Sequence, residues 1–213
     1  MIAIMSLTSA FDPALRAIDD ALRTLFAPAH SQRQAELPAE NPLSEQEKRH
    51  AAGLMRVNHA GEVAAQGLYR GQALLSRGAE TRDFLQRAAA EEGDHLAWCE
   101  SRLQELDSQP SRLNPLWYAG AFAIGAAAAV LSDRLSLGFV EETERQVEGH
   151  LTGHLQQLPA ADARSRRIVE LMREDEAGHG QAARAHGSSA LPPPLPTLMR
   201  AAAAVMTRTA YWI

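Results

Sequence analysis

The stretch that decides the fold of this chain is Glu91-Glu92-Gly93-Asp94-His95, which reads acid-Glu-x-x-His. The same pattern returns later in the chain as Asp175-Glu176-Ala177-Gly178-His179. On an α-helix, residues three apart lie on one face, with Cβ atoms roughly 5–6 Å apart. A carboxylate and an imidazole at that spacing can bind one metal ion, so the two stretches predict two halves of one metal site.

Two further glutamates complete a known pattern, in which two Glu-x-x-His helices and one Glu from each of two other helices build a ferritin-like di-iron bundle. Glu62 lies 30 residues before Glu92, and Glu144 lies 32 residues before Glu176. Three nearby glutamates are alternatives to Glu144, namely Glu141, Glu142 and Glu148. Only Glu144 both lies on the apolar stripe of its helix and has the spacing that matches the first pair.

The midpoints of both glutamate pairs fall on turn signals. In an antiparallel helix pair, residues at equal height are equidistant from the turn. The midpoints are Arg77, next to Gly78, and Ala160, next to Pro159, and glycine and proline are the strongest turn signals. The sequence therefore predicts an all-α, ferritin-like four-helix bundle whose metal ligands are Glu62, Glu92, His95, Glu144, Glu176 and His179.

The composition agrees with a helical protein and excludes several classes of function. The chain has 213 residues, 46% of them hydrophobic but only 5% aromatic, which suits closely packed helices. A net charge of -5 gives no basis for a nucleic-acid partner. Cys99 is the only cysteine, which excludes an intrachain disulfide and a cysteine-based zinc or iron–sulfur site. Met1 to Ala10 lacks the basic start and apolar run of a secretory signal.

Three segments follow from the pattern along the chain. Residues 1–42 are predicted to hold a short amphipathic helix, Phe11 to Phe26, capped by Asp12, and then a polar, proline-containing linker. Residues 43–190 hold the bundle with an apolar crossover helix, and residues 191–213 form a C-terminal membrane-interface segment. The N-terminal helix carries an apolar stripe of Leu15, Ile18, Leu22 and Leu25.

The ends of the bundle helices are marked by capping signals. Ser44-Glu45-Gln46-Glu47 is a capping box that predicts a first helix from Ser44 to about Ser76. The second helix is predicted from about Thr81 to Leu106, and the fourth from about Asp162 to His186, before Gly187.

Two apolar segments point to a membrane surface. Asn114-Pro115 predicts the start of a helix through the uncharged run Leu116 to Leu131, whose 16 residues rise ~24 Å, short of the ~20 residues that span a bilayer. We expect this helix to cross the bundle with one face towards a membrane. After the break at Pro192 to Pro196, Thr197 to Ile213 is apolar with sparse arginines and terminal aromatics, as in membrane-interface helices.

The ligand set favours two divalent ions. Four carboxylates carry a charge of about -4, which two ions balance, and oxygen-rich ligands with few imidazoles suit iron or manganese better than zinc. A third Glu-x-x-His, Glu47 to His50, lies in a polar first turn without a paired Glu and is predicted to be solvated surface.

Four other residues are candidates for supporting roles. Metal-bound imidazoles generally donate their second N–H to a carboxylate or carbonyl, so Asp175 and Glu91 are predicted to hold the histidines of the opposite half; the alternative is that both are surface acids. His150, which follows Glu144, is a structural or supporting histidine. Tyr69 lies two turns beyond Glu62, where it lines a substrate channel or, as the stronger alternative, packs in the core.

These residues together resemble a known family. The stretch Leu54-Met55-Arg56-Val57-Asn58-His59-Ala60-Gly61-Glu62, the two Glu-x-x-His pairs, Glu144 with His150, and Asn114-Pro115-Leu116 are similar to demethoxyubiquinone hydroxylases of coenzyme Q biosynthesis. The resemblance covers roughly Leu43 to Ile213. Carried over by position, the family's metal ligands fall on the same six residues that the helix geometry selects.

The resemblance implies a peripheral enzyme of the cytoplasmic face of the cell membrane. It implies two Fe²⁺ ions, O₂ as co-substrate, and hydroxylation of the ring of a polyprenylated methoxy-methyl-benzoquinol late in ubiquinone synthesis. A ubiquinone-biosynthesis complex or a lipid-presenting protein is the partner expected in that setting. The alternatives are a ferritin-like iron-storage or peroxide-reducing di-iron protein, and a metal-free helical scaffold.

Overall fold

The part of the chain that the structure describes contains seven α-helices. The computed structural model describes the backbone of residues 2–213 and the side chains of residues 13–213. No strand occurs within residues 2–213, which confirms the predicted all-α class. The helices are α1 (Ile2–Phe26), α2 (Glu45–Leu75), α3 (Ala79–Glu105), α4 (Asn114–Leu131), α5 (Asp133–Gln157), α6 (Ala163–Ala185) and α7 (Pro194–Ala210).

Two helix hairpins, α2–α3 and α5–α6, pack together as the four-helix bundle. Both hairpin turns lie at the midpoints that the glutamate spacing predicts, at residues 76–78 and 158–162. The capping box of Ser44 and Glu47 forms at the start of α2, and the Asp162 side chain caps α6. After α6 the chain turns at Gly187, which has a φ of 87°, a conformation that favours glycine.

The bundle interior has two apolar layers. One contains Leu54 and Met55 of α2 with Leu151 of α5. It continues into the C-terminal half of α3 and the N-terminal half of α6. The other contains Tyr69 of α2 and Leu137 of α5, together with Phe84, Leu85, Val140 and Ala183. The predicted ligands lie between these layers along every helix of the bundle, so a polar centre is enclosed by hydrophobic side chains on both sides.

The crossover helix α4 packs against the outer side of α2. The two helices approach closely at glycines: a Cβ added to Gly71 would lie 2.2 Å from the Phe122 carbonyl oxygen, and one added to Gly125 would lie 2.2 Å from the Leu68 carbonyl oxygen. The predicted cap Asn114 lies instead inside the first turn. Its side-chain amide donates to His59 Nδ1 at 3.2 Å and so ties α4 to α2.

The terminal helices differ from their predicted boundaries. α1 begins at Ile2 rather than Phe11, so Asp12 lies within the helix, and its side chain is outside the described set. α7 begins at Pro194, inside the proline run that was predicted to break the chain. Proline is tolerated there because the first-turn N–H groups of a helix lack intrahelical partners in any case.

The end of α7 is anchored to α2 through Tyr211. The Tyr211 hydroxyl lies 2.7 Å from His50 Nδ1, and Arg56 donates to the Tyr211 carbonyl at 2.7 Å. The tyrosine ring covers Gly53, where an added Cβ would lie 2.5 Å from the ring. His50 is therefore an anchor for the C-terminal helix, and its predicted place on solvated surface is wrong.

Large apolar side chains remain exposed on α1, α4 and α7. The predicted stripe of α1 points mostly outward, since Leu15, Ile18 and Leu22 are each more than half exposed. α4 is long and apolar enough to cross a membrane by length and composition alone, although 28% of it is buried in the protein. The exposed large apolar residues of the three helices and of the C-terminus that follows α7 are Leu15, Ile18, Leu22, Phe26, Leu116, Ile124, Val130, Leu131, Leu198, Val205, Trp212 and Ile213.

Residues 27–43, which join α1 to α2 and which we call the strap, lie against the bundle rather than hanging free. Glu40 of the strap forms an ion pair at 2.8 Å with Arg102 of α3, whose side chain is fully buried. The same arginine contacts Asp162 at 2.9 Å and Glu105 at 2.7 Å. This network links the strap to α3 and to the start of α6, a connection that the sequence analysis did not anticipate.

Candidate metal centre

The six predicted ligands meet at the centre of the bundle. Two overlapping groups of four residues each place their ligand atoms within 4.8 Å of one another, and all of the side chains are buried. The groups share Glu92 and Glu176, which come from the two Glu-x-x-His helices. The first group is Glu62, Glu92, His95 and Glu176, and the second is Glu92, Glu144, Glu176 and His179.

Both histidines aim Nδ1 at the carboxylates. His95 Nδ1 lies 2.9 Å from Glu92 Oε2, 3.5 Å from Glu176 Oε1 and 3.8 Å from Glu62 Oε2. His179 Nδ1 lies 3.1 Å from Glu92 Oε1 and 3.6 Å from Glu176 Oε2. Each imidazole therefore faces oxygens from both hairpins, which is the arrangement that one cation per histidine requires.

Several atoms of the centre are buried without a hydrogen-bond partner. They include one oxygen each of Glu92, Glu144 and Glu176, and Nδ1 of His179. Burying such atoms unpaired is costly. Because they converge without satisfying one another, and because carboxylate oxygens and imidazole nitrogens are metal ligands, the residues fit a pair of cations.

Burial and crowding move the pKa values of these groups in opposite directions. Burial, followed by the charge of Glu92, raises the pKa of Glu62 well above its usual value. Burial and the neighbouring Glu176 raise the pKa of Glu144 in the same way. For His179, burial opposes protonation, yet the nearby carboxylates of Glu176 and Glu92 raise its pKa to about 12. Protons therefore compensate the crowded carboxylates when no cation does.

The two predicted supporting carboxylates reach across the bundle. His95 Nε2 donates to Asp175 Oδ2 at 2.9 Å, and His179 Nε2 donates to Glu91 Oε2 at 2.7 Å. Each acid holds the histidine of the opposite hairpin, so these contacts are the ones that the sequence analysis anticipated. Burial would raise the pKa of Asp175, but hydrogen bonds from His95 and Arg33 lower it to about 2.

The comparison with known families agrees with this geometry. A family model described as ubiquinone biosynthesis protein COQ7 matches residues 49–210. The chain belongs to the COQ7 family. The matched segment contains all six side chains of the centre, and the predicted resemblance to demethoxyubiquinone hydroxylases is confirmed.

Similar members of the COQ7 family are named 3-demethoxyubiquinol 3-hydroxylase. The protein of Cupriavidus pinatubonensis is 60% identical over 204 residues, which cover 95% of this chain and 97% of that protein. The protein of Bordetella avium is 58% identical over 208 residues, 94% of each chain. That of Burkholderia multivorans is 56% identical over 205 residues, 95% of this chain and 99% of the relative. The predicted enzyme class, a hydroxylating oxidoreductase, is confirmed.

The rivals of Glu144 lie away from the centre. Glu141 pairs with Arg184, Glu142 pairs with Arg145, and Glu148 is exposed. Glu47 of the third Glu-x-x-His caps α2 instead of contacting the centre. Glu144, the residue that the spacing and the apolar stripe indicate, is therefore the one acidic residue of α5 that lies between the two apolar layers.

Two other candidates lie outside the centre. Within the described residues, His150 makes no hydrogen bond to any of the six side chains of the centre. The centroid of its ring lies 4.0 Å from that of His154. Both histidines line a groove of about 520 Å³ between α2, α5 and the residues at the end of α7. The expectation that His150 supports the ligands thus has no contact behind it. Tyr69 is fully buried in an apolar layer, which matches the core alternative, and its role in a substrate channel stays a prediction.

Two residues next to the centre were missed in the sequence. Arg33 of the strap forms an ion pair with Asp175, and Trp98 packs its ring 5.4 Å from that of His95. Arg33 lies in a polar stretch without periodicity, so no local signal distinguishes it. Trp98 is three residues after His95 and shares its helix face, a signal that was present.

Proposed function

We propose that this chain is a di-iron, O₂-dependent monooxygenase that converts demethoxyubiquinol to demethylubiquinol in ubiquinone biosynthesis. The observation that carries the proposal is the pair of overlapping ligand groups that share Glu92 and Glu176. A single four-residue cluster would suit many metal proteins. Two clusters with shared carboxylates suit two ions held side by side. The reaction is the one for which the similar family members are named.

The residues divide naturally between two ions. Glu62 and His95 would hold one ion, Glu144 and His179 the other, and Glu92 and Glu176 would serve both. Oxygen-rich ligands with one imidazole per ion suit iron, whereas structural zinc prefers four nitrogen or sulfur ligands. When bound, two ferrous ions supply the electrons and the binding site that O₂ chemistry on an aromatic ring needs.

The protein's own groups hold and shield this chemistry. Asp175 and Glu91 orient the imidazoles, because the N–H donated to each carboxylate leaves Nδ1 free for a cation. The apolar layers above and below the centre exclude water from it. The four glutamates come from four helices, so their positions are set by bundle packing rather than by a flexible loop.

The substrate carries a polyprenyl tail and is dissolved in lipid, so the enzyme must reach the membrane. α1, α4 and α7 all contact α2 and present exposed apolar side chains. We propose that these three helices bind the cytoplasmic face of the cell membrane peripherally, with apolar faces ~5–10 Å deep in the headgroup region. A lipid-presenting protein or a ubiquinone-biosynthesis complex would dock on the same apolar helices.

Lying on the membrane fits α4 better than spanning it. α4 is held against α2 through Gly71 and Gly125, and α2 carries Arg56 and Arg70. A spanning α4 would draw these charged residues towards the hydrocarbon, where charge is expensive. An iron-storage protein has no use for three exposed apolar helices, which disfavours that alternative.

Metal analysis and turnover with isotopically labelled O₂ test the proposal. We expect two irons per chain, and one labelled oxygen atom in the product ring. Glu144→Ala should hold at most one iron per chain, because it removes a buried ligand. Glu148→Ala is the matched control: it lies one turn further along α5, is exposed, and should keep both irons.

Different failures would refute different parts of the proposal. Label entering from water instead of O₂ would exclude a monooxygenase. Full iron occupancy in Glu144→Ala, or loss of iron in Glu148→Ala, would show that the ligand assignment on α5 is wrong. Storage of many irons per chain without quinol turnover would support the iron-storage alternative.

A further inference from the structure

Arg33 of the strap lies in a chain of contacts that leads to the metal centre. Its guanidinium pairs with Asp175, with Nη1 donating to Oδ1 at 3.2 Å and Nη2 contacting Oδ2. The same Oδ2 accepts the N–H of His95 at 2.9 Å. We propose that Arg33 is a positioning residue for the metal centre, which fixes the Asp175 carboxylate and, through it, the His95 imidazole. This inference rests on the proposed metal site but not on the identity of the quinol.

The contact between Arg33 and Asp175 fixes the orientation of the carboxylate as well as balancing its charge. Arginine contacts carboxylates through two parallel N–H groups, which fixes the plane of the carboxylate. A carboxylate fixed in this way holds the acceptor for His95 Nε2 in one position. The imidazole then keeps Nδ1 pointed at Glu62, Glu92 and Glu176.

Trp98 holds the arginine from the other side. Its indole N–H donates to the Arg33 carbonyl at 3.0 Å, and the Arg33 guanidinium lies 4.8 Å from the centre of the Trp98 ring. The ring in turn packs against His95, with centroids 5.4 Å apart. The strap is therefore held at this point by Trp98, which packs against the same histidine that Asp175 holds.

Further contacts fix the part of the strap that directly precedes Arg33. The Gln32 backbone N–H donates to Asp94 at 2.6 Å, and the Ser31 hydroxyl donates to the same carboxylate at 2.9 Å. The Ala29 backbone N–H donates to Glu100 at 2.9 Å. Asp94 thus anchors the strap without contacting Asp175, which allows the two roles to be separated by mutation.

The two halves of the centre differ in this outer layer. Asp175, which holds His95, is 26% exposed and paired with Arg33. Glu91, which holds His179, is 61% exposed, and within residues 13–213 no arginine or lysine forms an ion pair with it. The similar hairpins therefore build an asymmetric centre, and the loss of Arg33 should affect the metal position at His95 alone.

The test is the release of iron from loaded protein to a ferrous chelator, followed in time alongside the Mössbauer spectrum. We expect Arg33→Gln to speed the release of one of the two irons by about two- to fivefold, the range for a half-exposed ion pair. Asp175→Asn should speed the release of the same iron by about 10–100-fold. One of the two spectral components should change, and the other should stay constant.

Two control variants separate positioning from simple attachment of the strap. Arg184→Gln breaks an arginine–carboxylate pair between α6 and Glu141 of α5 that reaches no histidine, and it should leave iron release unchanged. Asp94→Asn loosens the strap but keeps the Arg33–Asp175 pair, and it too should release iron like wild type. If Asp94→Asn matches Arg33→Gln, coverage by the strap and not Arg33 is responsible, and the proposal is wrong.

A double-mutant cycle gives the sharpest result. If Arg33 acts through Asp175, Arg33→Gln should add nothing to release once Asp175→Asn is present. Additive effects, or unchanged release in Arg33→Gln alone, would overturn the assignment to Arg33 while leaving the proposed enzyme intact. Failure of wild-type protein to bind iron would overturn both proposals.

Discussion

The apolar face of α4 offers a direct test of membrane binding. Replacing Ile124 and Leu131 with glutamine removes two exposed apolar side chains, which are 48% and 66% exposed. Their seven-residue spacing puts them on one side of the helix. Glutamine is a good helix former, so the change alters the polarity of this surface while the helix itself is retained.

The size of the effect follows from the exposed fractions. Full burial of a leucine or isoleucine side chain is worth roughly 1.5–3 kcal/mol. Roughly half of one side chain and two-thirds of the other are available to lipid, so their joint contribution is about 2–3 kcal/mol. At 1.4 kcal/mol per tenfold change, lipid partitioning should weaken by about 30- to 150-fold.

Cosedimentation with liposomes, titrated over lipid concentration, measures the partition coefficient. The control variant Ile124→Val/Leu131→Met keeps both positions apolar and should bind like wild type. Thermal unfolding should change little in either variant, because outward substitutions usually stay within about 0.5 kcal/mol. Deletion of α7 together with the residues that follow it is a poorer test, since it also removes the Tyr211 contacts with His50 and Arg56.

An unchanged partition coefficient in the folded glutamine variant would refute the assignment of the α4 face to the membrane. Equal losses in the glutamine and the conservative variants would also refute it, because polarity would then not be the cause. Lower turnover on a long-tailed quinol, with normal turnover on a short-tailed analogue, should accompany weaker binding.

Three further predictions concern stability. Arg102→Met should lower the free energy of unfolding by about 3–5 kcal/mol in urea titrations, because it leaves the fully buried Asp162 unpaired; a loss below 1 kcal/mol would contradict this. Gly71→Ala should cost about 1–3 kcal/mol by forcing α4 from α2, whereas Gly120→Ala, with open space around it, should not destabilise. Burial, with the charge of His150 second, lowers the pKa of His154 to about 3. The unfolded state, with a pKa near 6.5, then binds this proton first, so stability is full above about pH 6.5 and falls by about 2 kcal/mol between pH 6.5 and pH 5. His154→Gln should flatten that slope, and an unchanged slope would exclude His154 as its source.

Local rules were enough to select the residues at the centre of the bundle. Helix periodicity puts Glu92 and His95 on one face. Hairpin symmetry identifies Glu62 and, together with the apolar stripe of its helix, Glu144. Capping signals set the start of α2, and Gly187 sets the end of α6. These features depend on a few neighbouring residues or on the geometry of one turn, which the sequence states directly.

Contacts between distant segments required the tertiary structure. Arg33 and Asp175 are 142 residues apart, and His50 and Tyr211 are 161 apart; no periodicity connects either pair. The strap has no repeating pattern because it is extended and follows the bundle surface. Its side chains are selected by what the bundle presents to them, so its path could not be inferred before the helices were in place.

The direction in which an apolar stripe points was also decided by packing. The stripes of α1 and of the bundle helices look alike in sequence, yet Leu15, Ile18 and Leu22 face outward. Periodicity determines that such residues share a face, but only the presence or absence of a neighbouring helix determines whether that face is buried. The sequence by itself thus determined the bundle and the six residues that meet at its centre. Tertiary packing decided which apolar faces remain exposed and which outer residues contact the centre, because both depend on surfaces that exist only after folding.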